Sequence, residues 1–131
     1  MNDLFIKNLF ADVMKKMELE TEGLPAGHEY SLMIDEQHPV LLRYDAPTER
    51  IMLIGALDTQ SAQDQDALLK RILWAGLNPL RTNGPGVGLD ESSGFYFSYI
   101  TLPRLSVSAD AICKELIKLV EWGKSLVAGR A

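Results

Sequence analysis

The sequence predicts an α+β fold in the order helix, three-stranded antiparallel meander, helix, two strands, helix. Three observations carry this prediction: helix-period apolar patterns in three segments, alternating apolar residues between them, and turn-forming Pro, Gly and Asp residues at the boundaries. The 131 residues are enough for one hydrophobic core rather than two, so we expect a single domain over 1–131.

Composition and charge narrow the class of protein. Hydrophobic residues make up 47% of the chain and its net charge is −5, values typical of a soluble globular protein. Because Lys and Arg are not clustered, we expect no nucleic-acid ligand. The single cysteine, Cys113, excludes an internal disulfide and favours a reducing cytoplasm. No long apolar run and no basic N-terminal segment are present, so we expect neither membrane insertion nor a secretory signal.

The first predicted helix covers residues 3–18, where Ile6, Phe10 and Val13 recur at helical spacing. Its apolar surface is wider than one stripe, which leaves room for a contact beyond the core of the subunit. The residues that widen it are Leu4, Phe5 and Leu9.

Three strands are predicted next, over His28–Asp35, Val40–Tyr44 and Arg50–Leu57. We place His38 in the loop between the first two strands. The third strand is apolar on both faces, which requires cover on both sides. The protein's own helices can cover one side, so the other needs a partner or stays exposed.

The second half of the chain predicts a helix over 61–78, strands over Val87–Asp90 and Phe95–Leu102, and a last helix over 108–128. We expect the helix over 61–78 to begin with a capping box at Ser61 and to end at the Asn-Pro pair at 78–79.

Candidate catalytic residues are few. Cys113 and His38 are the one pair with nucleophilic potential, and no motif supports it. The glycines at 84, 86 and 88 lack the Lys-Ser/Thr of a phosphate-binding loop and lead into a strand rather than a helix, which indicates a structural turn. We expect no enzymatic activity, no cofactor and no metal.

Several local strings together resemble the class I chaperones of bacterial type III secretion, the Tir chaperone family. They occur before the second strand, in the third strand, in the middle helix, at the fourth strand and before the last helix. The strings are HPVLL at 38–42, IMLIG at 51–55, LLKRIL at 68–73, GVGLD at 86–90, and Leu102-Pro103.

The resemblance implies a cytoplasmic bacterial homodimer that binds the N-terminal, non-globular segment of one secreted effector and keeps it soluble and secretion-competent without ATP hydrolysis. The implied dimer interface lies on the middle helix and the short fourth strand, at Leu69, Ile72, Leu73, Gly76, Val87 and Leu89. The implied effector contacts lie on the first helix and the strands, at Phe5, Leu9, Phe10, Leu32, Met52, Ile54, Phe97 and Tyr99.

Two other hypotheses are compatible with the sequence. One is a small α+β regulatory adaptor that binds a folded protein partner. The other is a small enzyme that uses Cys113 with a histidine. An unfolded partner distinguishes the chaperone from the adaptor, because a disordered segment needs a wide binding surface to offset its ordering cost.

Overall fold

The computed structural model describes residues 4–17, 29–34, 38–82 and 84–129. The helices and strands follow in the predicted order, with one additional short helix and two 3₁₀ turns. Their bounds are α1 (Leu4–Lys16), β1 (Glu29–Ile34), β2 (His38–Asp45), β3 (Arg50–Ala56), a 3₁₀ turn (Thr59–Ser61), α2 (Gln65–Ala75), α3 (Asn78–Arg81), β4 (Gly86–Leu89), β5 (Tyr96–Pro103), a 3₁₀ turn (Arg104–Ser106) and α4 (Ala109–Ala128).

The five strands form one antiparallel sheet in the order β1-β2-β3-β5-β4. The meander β1-β2-β3 is joined by β5, which pairs with β3 over seven residue pairs from Arg50↔Pro103 to Ala56↔Phe97. The short β4 pairs with the other side of β5. The α+β prediction is therefore confirmed, and the structure adds that both strand groups belong to one sheet.

The main hydrophobic core lies between one face of this sheet and helices α1 and α4. Alternate residues of β1 to β3 point into it, in agreement with a period of two. The rings of Phe10 on α1 and Tyr30 on β1 meet edge to face, with centroids 5.4 Å apart. The fully buried side chains of this core include Ile6, Phe10, Val13, Leu42, Ile51, Leu53, Ile112 and Leu116.

A second, smaller core joins α2 to the C-terminal half of α4. Leu68 and Ile72 of α2 pack with Leu126 and Val127 of α4. Arg71 donates hydrogen bonds from Nε to the carbonyl oxygen of Leu126, at 2.9 Å, and from Nη2 to that of Val127, at 3.0 Å. The Leu126 oxygen also accepts from the N–H of Gly129 at 3.2 Å, so Arg71 adds a second donor there and holds α2 to the end of α4.

The predicted helix over 61–78 was wrong in its bounds. Residues 59–61 form a 3₁₀ turn, and α2 begins only after Asp64, whose Oδ1 accepts a hydrogen bond from the backbone N–H of Ala67 at 3.0 Å. Asp64 is therefore the N-cap, and Ser61 does not start a capping box. At the other end Pro79 lies in the first turn of α3, where a proline has no N–H to leave unpaired.

The predicted position of His38 in a loop was also wrong, because His38 pairs with Ile34 in the β1–β2 ladder. Residues 35–37 lie outside the described residues, as do both ends of the predicted first helix, at 3 and 18, and both ends of the predicted first strand, at 28 and 35. At the start of α4, Ser108 is the N-cap, because its Oγ accepts from the N–H of Ala111 at 3.1 Å, and Gly129 ends the helix at φ 80°.

The cap of α2 gives a test of these bounds. Asp64→Ala removes the acceptor for the Ala67 N–H, and we expect it to lower the free energy of unfolding by about 1 kcal/mol. Ser61→Ala is the matched control, since Ser61 donates only to the exposed carbonyl oxygen of Asp58, and it should have little effect. Urea titration of both variants measures the difference; equal losses would place the start of the helix elsewhere.

Candidate functional site

The first candidate surface is the outer face of the sheet, which we define as the side away from α1, α2 and α4. Residues that alternate with the core residues point to this face, so each strand of the meander has one covered and one uncovered side. The pairs Leu41↔Ile54 and Ile54↔Tyr99 form one row across three strands. The large apolar residues of the outer face are Met33, Leu41, Met52, Ile54, Phe97 and Tyr99.

These side chains are only partly buried within the described part of the subunit. Met33 and Tyr99 are exposed, and Leu41, Met52, Ile54 and Phe97 are half-buried. The sheet therefore has apolar side chains on both faces and helices on one. An apolar face of this kind marks a contact surface in a soluble protein.

Two adjoining depressions give the outer face its shape. One, of about 430 Å³, is bordered by Met33, Leu41, Ile54 and Phe97. The other, of about 270 Å³, is bordered by Met52, Ile54, Phe97 and Tyr99. Because Ile54 and Phe97 border both, the two depressions form one apolar groove across the strands.

Charged groups lie at the ends of this groove. Asp90 follows β4 and accepts hydrogen bonds from the hydroxyl groups of Ser92, at 3.0 Å, and Ser93, at 2.7 Å. These two bonds, that from Ser93 first, lower the pKa of the Asp90 carboxyl group. At the far end, Arg50 donates to the Thr101 hydroxyl at 2.9 Å. Asp90 and Arg50 thus lie at opposite ends of the groove, and the large side chains between them are apolar.

The second candidate surface is the apolar side of α2 and α3 that faces away from the second core. Leu69 and Leu73 are exposed four residues apart, so they lie on one side of α2, and Leu77, in the turn before α3, is exposed as well. The Arg81 guanidinium lies over the ring of Trp74, 4.1 Å from its centroid. The large apolar side chains exposed on this surface are Leu69, Leu73, Trp74, Leu77 and Leu80.

The structure divides the predicted interface residues of the middle helix and β4. Leu69, Leu73 and Leu89 are exposed, with Leu73 at 68%. Gly76 and Val87 are half-buried, and the backbone of Gly76 lies close to the carbonyl oxygen of Val87. Ile72 is buried in the second core of the subunit.

The predicted effector contacts divide in the same way. Phe5 on α1 is exposed, and the Arg104 guanidinium lies 5.0 Å from its ring centroid. Leu9, Phe10 and Leu32, in contrast, face the main core and do not belong to either exposed surface. The remaining predicted contacts, Met52, Ile54, Phe97 and Tyr99, come together in the groove of the outer face.

Sequence reasoning missed five residues of the two surfaces. Met33 and Leu41 share the outer face, and the alternation of their strands contained that signal once the covered face was known. Trp74 and Leu77 lie within the helix predicted over 61–78 but were not assigned to its interface side, and Leu80 lies beyond its predicted end, in α3. The step of four residues from Leu69 to Leu73 extends to Leu77 and could have found it.

Features that would support catalysis are sparse. A cleft of about 720 Å³ lies between the start of β2, the end of β3, the start of α2 and the C-terminal half of α4, and His38, Asp58 and Lys124 line it. Across the described ranges, no three His, Cys, Asp or Glu side chains are placed to hold a metal ion.

Within the same ranges no helix has the length and apolar character needed to span a bilayer.

Cys113 is half-buried on α4, with Sγ 3.9 Å from the carbonyl oxygen of Val13. Burial, with a smaller contribution from Asp110, raises the pKa of its thiol. A raised pKa keeps the sulfur protonated at neutral pH, which opposes a role as a nucleophile.

Comparison with known proteins gives consistent matches. The model of the Tir chaperone protein (CesT) family matches residues 8–125. Among solved structures, the chain is similar to one in the HopA1-SchA chaperone-effector complex, at 33% identity and TM-score 0.77, over 95% of this chain and 94% of that chain. No curated protein sequence matches the chain.

Two further solved structures share the fold at lower identity. The chain is similar to one in the ExsC-ExsE complex, at 21% identity and TM-score 0.74, over 93% of this chain and 92% of that chain. It is also similar to one in the complex of the Yersinia pestis type III secretion chaperone SycH with a fragment of YscM2, at 17% identity and TM-score 0.67, over 92% of this chain and 98% of that chain.

The environment of Cys113 yields a test of the enzyme hypothesis. Because burial raises the thiol pKa, we expect iodoacetamide to alkylate the folded protein at pH 8 several-fold more slowly than the urea-unfolded chain. Mass spectrometry of the alkylated fraction over time measures both rates. Alkylation of the folded protein as fast as, or faster than, that of the unfolded chain would indicate an activated thiolate.

Proposed function

This chain belongs to the Tir chaperone protein (CesT) family, and from that premise we propose that it is a type III secretion chaperone that binds a secreted effector. The bound part of the effector is its N-terminal, non-globular segment. Binding keeps this segment soluble and competent for secretion, and it requires no ATP hydrolysis. We call this effector the client.

The observation that carries this proposal is the open apolar groove on the outer face of the sheet. The groove is bordered by half-buried side chains of three neighbouring strands, Met52 and Ile54 of β3, Phe97 of β5 and Leu41 of β2. A client segment laid across it would shield these side chains from water, which supplies the main favourable free energy of association. A wide surface suits an unfolded client, which must offset the cost of becoming ordered.

The edges of the sheet offer a second mode of contact. Within the described residues, β1 and β4 each pair on one side only. An extended client segment can add to such an edge through backbone hydrogen bonds, which do not depend on its sequence. The edge of β1 adjoins the groove at Met33, so one segment can use both.

The exposed side chains of α2 and α3 support self-association. Leu73, Trp74 and Leu80 are each more than half exposed, and together with Leu69 and Leu77 they form an apolar surface separate from the groove. We propose a homodimer through this surface, with Leu89 of β4 at its margin. The groove of each subunit then stays open to the client.

The whole chain, 1–131, acts as one chaperone domain in the bacterial cytoplasm. It acts by binding alone, and the protonated thiol of Cys113 supports a role without catalysis. Action without a nucleotide agrees with the place of Gly86 and Gly88 within β4, since a phosphate-binding glycine turn precedes a helix.

A capture experiment tests the function. The tagged chain is expressed in a bacterium that secretes effectors through a type III system, and bound proteins are recovered and digested with protease. We expect protection of a segment of about 50–100 residues near the N-terminus of a secreted protein, a segment that is unfolded when alone. If the recovered partner binds only as an intact folded domain, the protein is a regulatory adaptor instead.

A pair of substitutions tests the dimer. Leu73→Glu places a charge in the proposed apolar interface, where burial without a counter-charge costs several kcal/mol. Light scattering of this variant should therefore give the mass of one chain. Ile117→Glu is the matched control, since Ile117 is 51% exposed on α4, away from α2. It should keep twice the chain mass. A dimeric Leu73→Glu variant would place the interface elsewhere.

A further inference from the structure

Two glycines of β4, Gly86 and Gly88, lie on the outer face of the sheet opposite Tyr99 and Phe97. Neither has a positive φ, unlike Gly94 and Gly129, so the backbone conformation does not require glycine at either position. A glycine inside a strand lowers stability because it contributes no side chain to the sheet. A close contact with another group is the usual reason for glycine at such positions.

At Gly86 that contact is the ring of Tyr99. A Cβ atom built on Gly86 would overlap the Cζ and Oη atoms of Tyr99. The ring thus lies directly against the strand, and Gly86 is buried beneath it. Any larger residue must push the ring away from the sheet.

At Gly88 no contact among the described residues accounts for the glycine. A Cβ atom built there would have no neighbour within 4 Å, so open space lies above the strand. This space belongs to the depression of about 270 Å³ that Met52, Ile54, Phe97 and Tyr99 border. Since neither the φ angle nor a neighbour in the described part of the chain requires glycine here, the open position suits a group from outside the subunit that approaches the strand closely.

We propose that the two glycines shape the client surface: Gly86 positions Tyr99 flat against β4, and Gly88 opens beside it a socket for one bulky apolar side chain of the client, next to a basic residue. This inference rests on the proposed chaperone function and deepens it. The socket is the space bordered by Gly88, Met52, Ile54, Phe97 and Tyr99.

The chemistry of the socket supports this occupant. Met52, Ile54 and Phe97 present apolar atoms, which favour an aliphatic or aromatic side chain. The only charged residue among those that border it in the described structure is Asp90. Its carboxylate lies at the rim and is held there by Ser92 and Ser93, so it favours a lysine or arginine next to the inserted side chain and disfavours an acidic one.

A second copy of the chain is the less suitable occupant. The exposed apolar side chains that favour self-association lie on α2 and α3, and Val87, between the two glycines, packs toward α2 on the inner side. The socket opens on the opposite side of β4, in continuity with the groove.

The first experiment tests the positioning role of Gly86 without any client. In Gly86→Ala we expect the Tyr99 ring to leave the strand, seen in NMR as the loss of nuclear Overhauser contacts between its ring protons and residue 86. Gly88→Ala is the matched control and should keep them, because its methyl group meets open space. Intact contacts in a folded Gly86→Ala variant would overturn this role.

The second experiment tests the socket with a defined probe, a nonapeptide of alternating lysine and leucine, titrated into the isotope-labelled full chain. We expect amide shifts at Gly88, Phe97 and Tyr99. Gly88→Leu fills the socket and should weaken binding about tenfold, the effect expected when one leucine side chain stays in water. Lys114→Leu adds the same side chain at an exposed site on α4 and should bind as the wild type does.

The preference for a basic neighbour has its own control. Asp90→Asn should weaken binding of the peptide about threefold, a typical effect for an exposed ion pair. Glu91→Gln changes the net charge equally one residue further along the hairpin and should have no effect. Equal weakening by both variants would indicate a general attraction of the basic peptide to an acidic protein. It would overturn the specific role of Asp90.

The outcomes distinguish failure of the proposed socket from failure of the proposed chaperone function. If Gly88→Leu binds the peptide as tightly as the wild type, or the shifts fall on α2 and α3, the socket is wrong even where the chain captures a secreted protein. If the peptide occupies the socket as described but no unfolded client is captured, the socket stands and the chaperone function fails.

Discussion

The structure depends on one difference: the sheet has two apolar faces, and the helices cover one of them. β3 is apolar on both faces, since Ile51 and Leu53 alternate with Met52 and Ile54, but α1, α2 and α4 all pack on one side. Within the described part of one subunit, the helices therefore remove only one apolar face of the sheet from water. The uncovered half is stable in water only while it is small or while another chain covers it, and this requirement links the fold to binding.

The second core serves a different purpose from the first. It fixes α2 with a narrow set of contacts, chiefly Leu68 and Ile72 against Leu126 and Val127, and it leaves the other side of that helix exposed. A helix that is apolar on two sides and packed on one presents its second side to a partner. The two uncovered surfaces are therefore separate: one lies on the sheet, the other on the helices.

Much of the fold could be predicted because local patterns determine it. The alternation of Tyr30, Leu32 and Ile34 and the helical spacing of Ile112, Leu116 and Leu119 place these residues in the core regardless of their partners. The start of α2 could not be predicted with the same ease. Ser61 and Asp64 are both good N-caps, and the choice depends on how the chain leaves β3 through the 3₁₀ turn.

The candidate surfaces were harder to predict because alternation identifies two faces without saying which one the helices cover. This is why Leu32, a core residue, was grouped with Met52 of the outer face. The role of the glycines at 86 and 88 depends on a cross-strand neighbour, Tyr99, whose register with β4 is a property of the sheet. The family resemblance, in contrast, was carried by short strings and is confirmed by the family match over 8–125.

The hydrogen bonds of Arg71 to the last turn of α4 have a consequence for the direction in which α2 presents its exposed side. The guanidinium group occupies the carbonyl oxygens of Leu126 and Val127, and Arg71 lies on the same helix as the exposed leucines. A substitution that removed the guanidinium would take away both of these bonds. The exposed leucines of α2 would then lose the attachment that fixes their direction relative to the sheet.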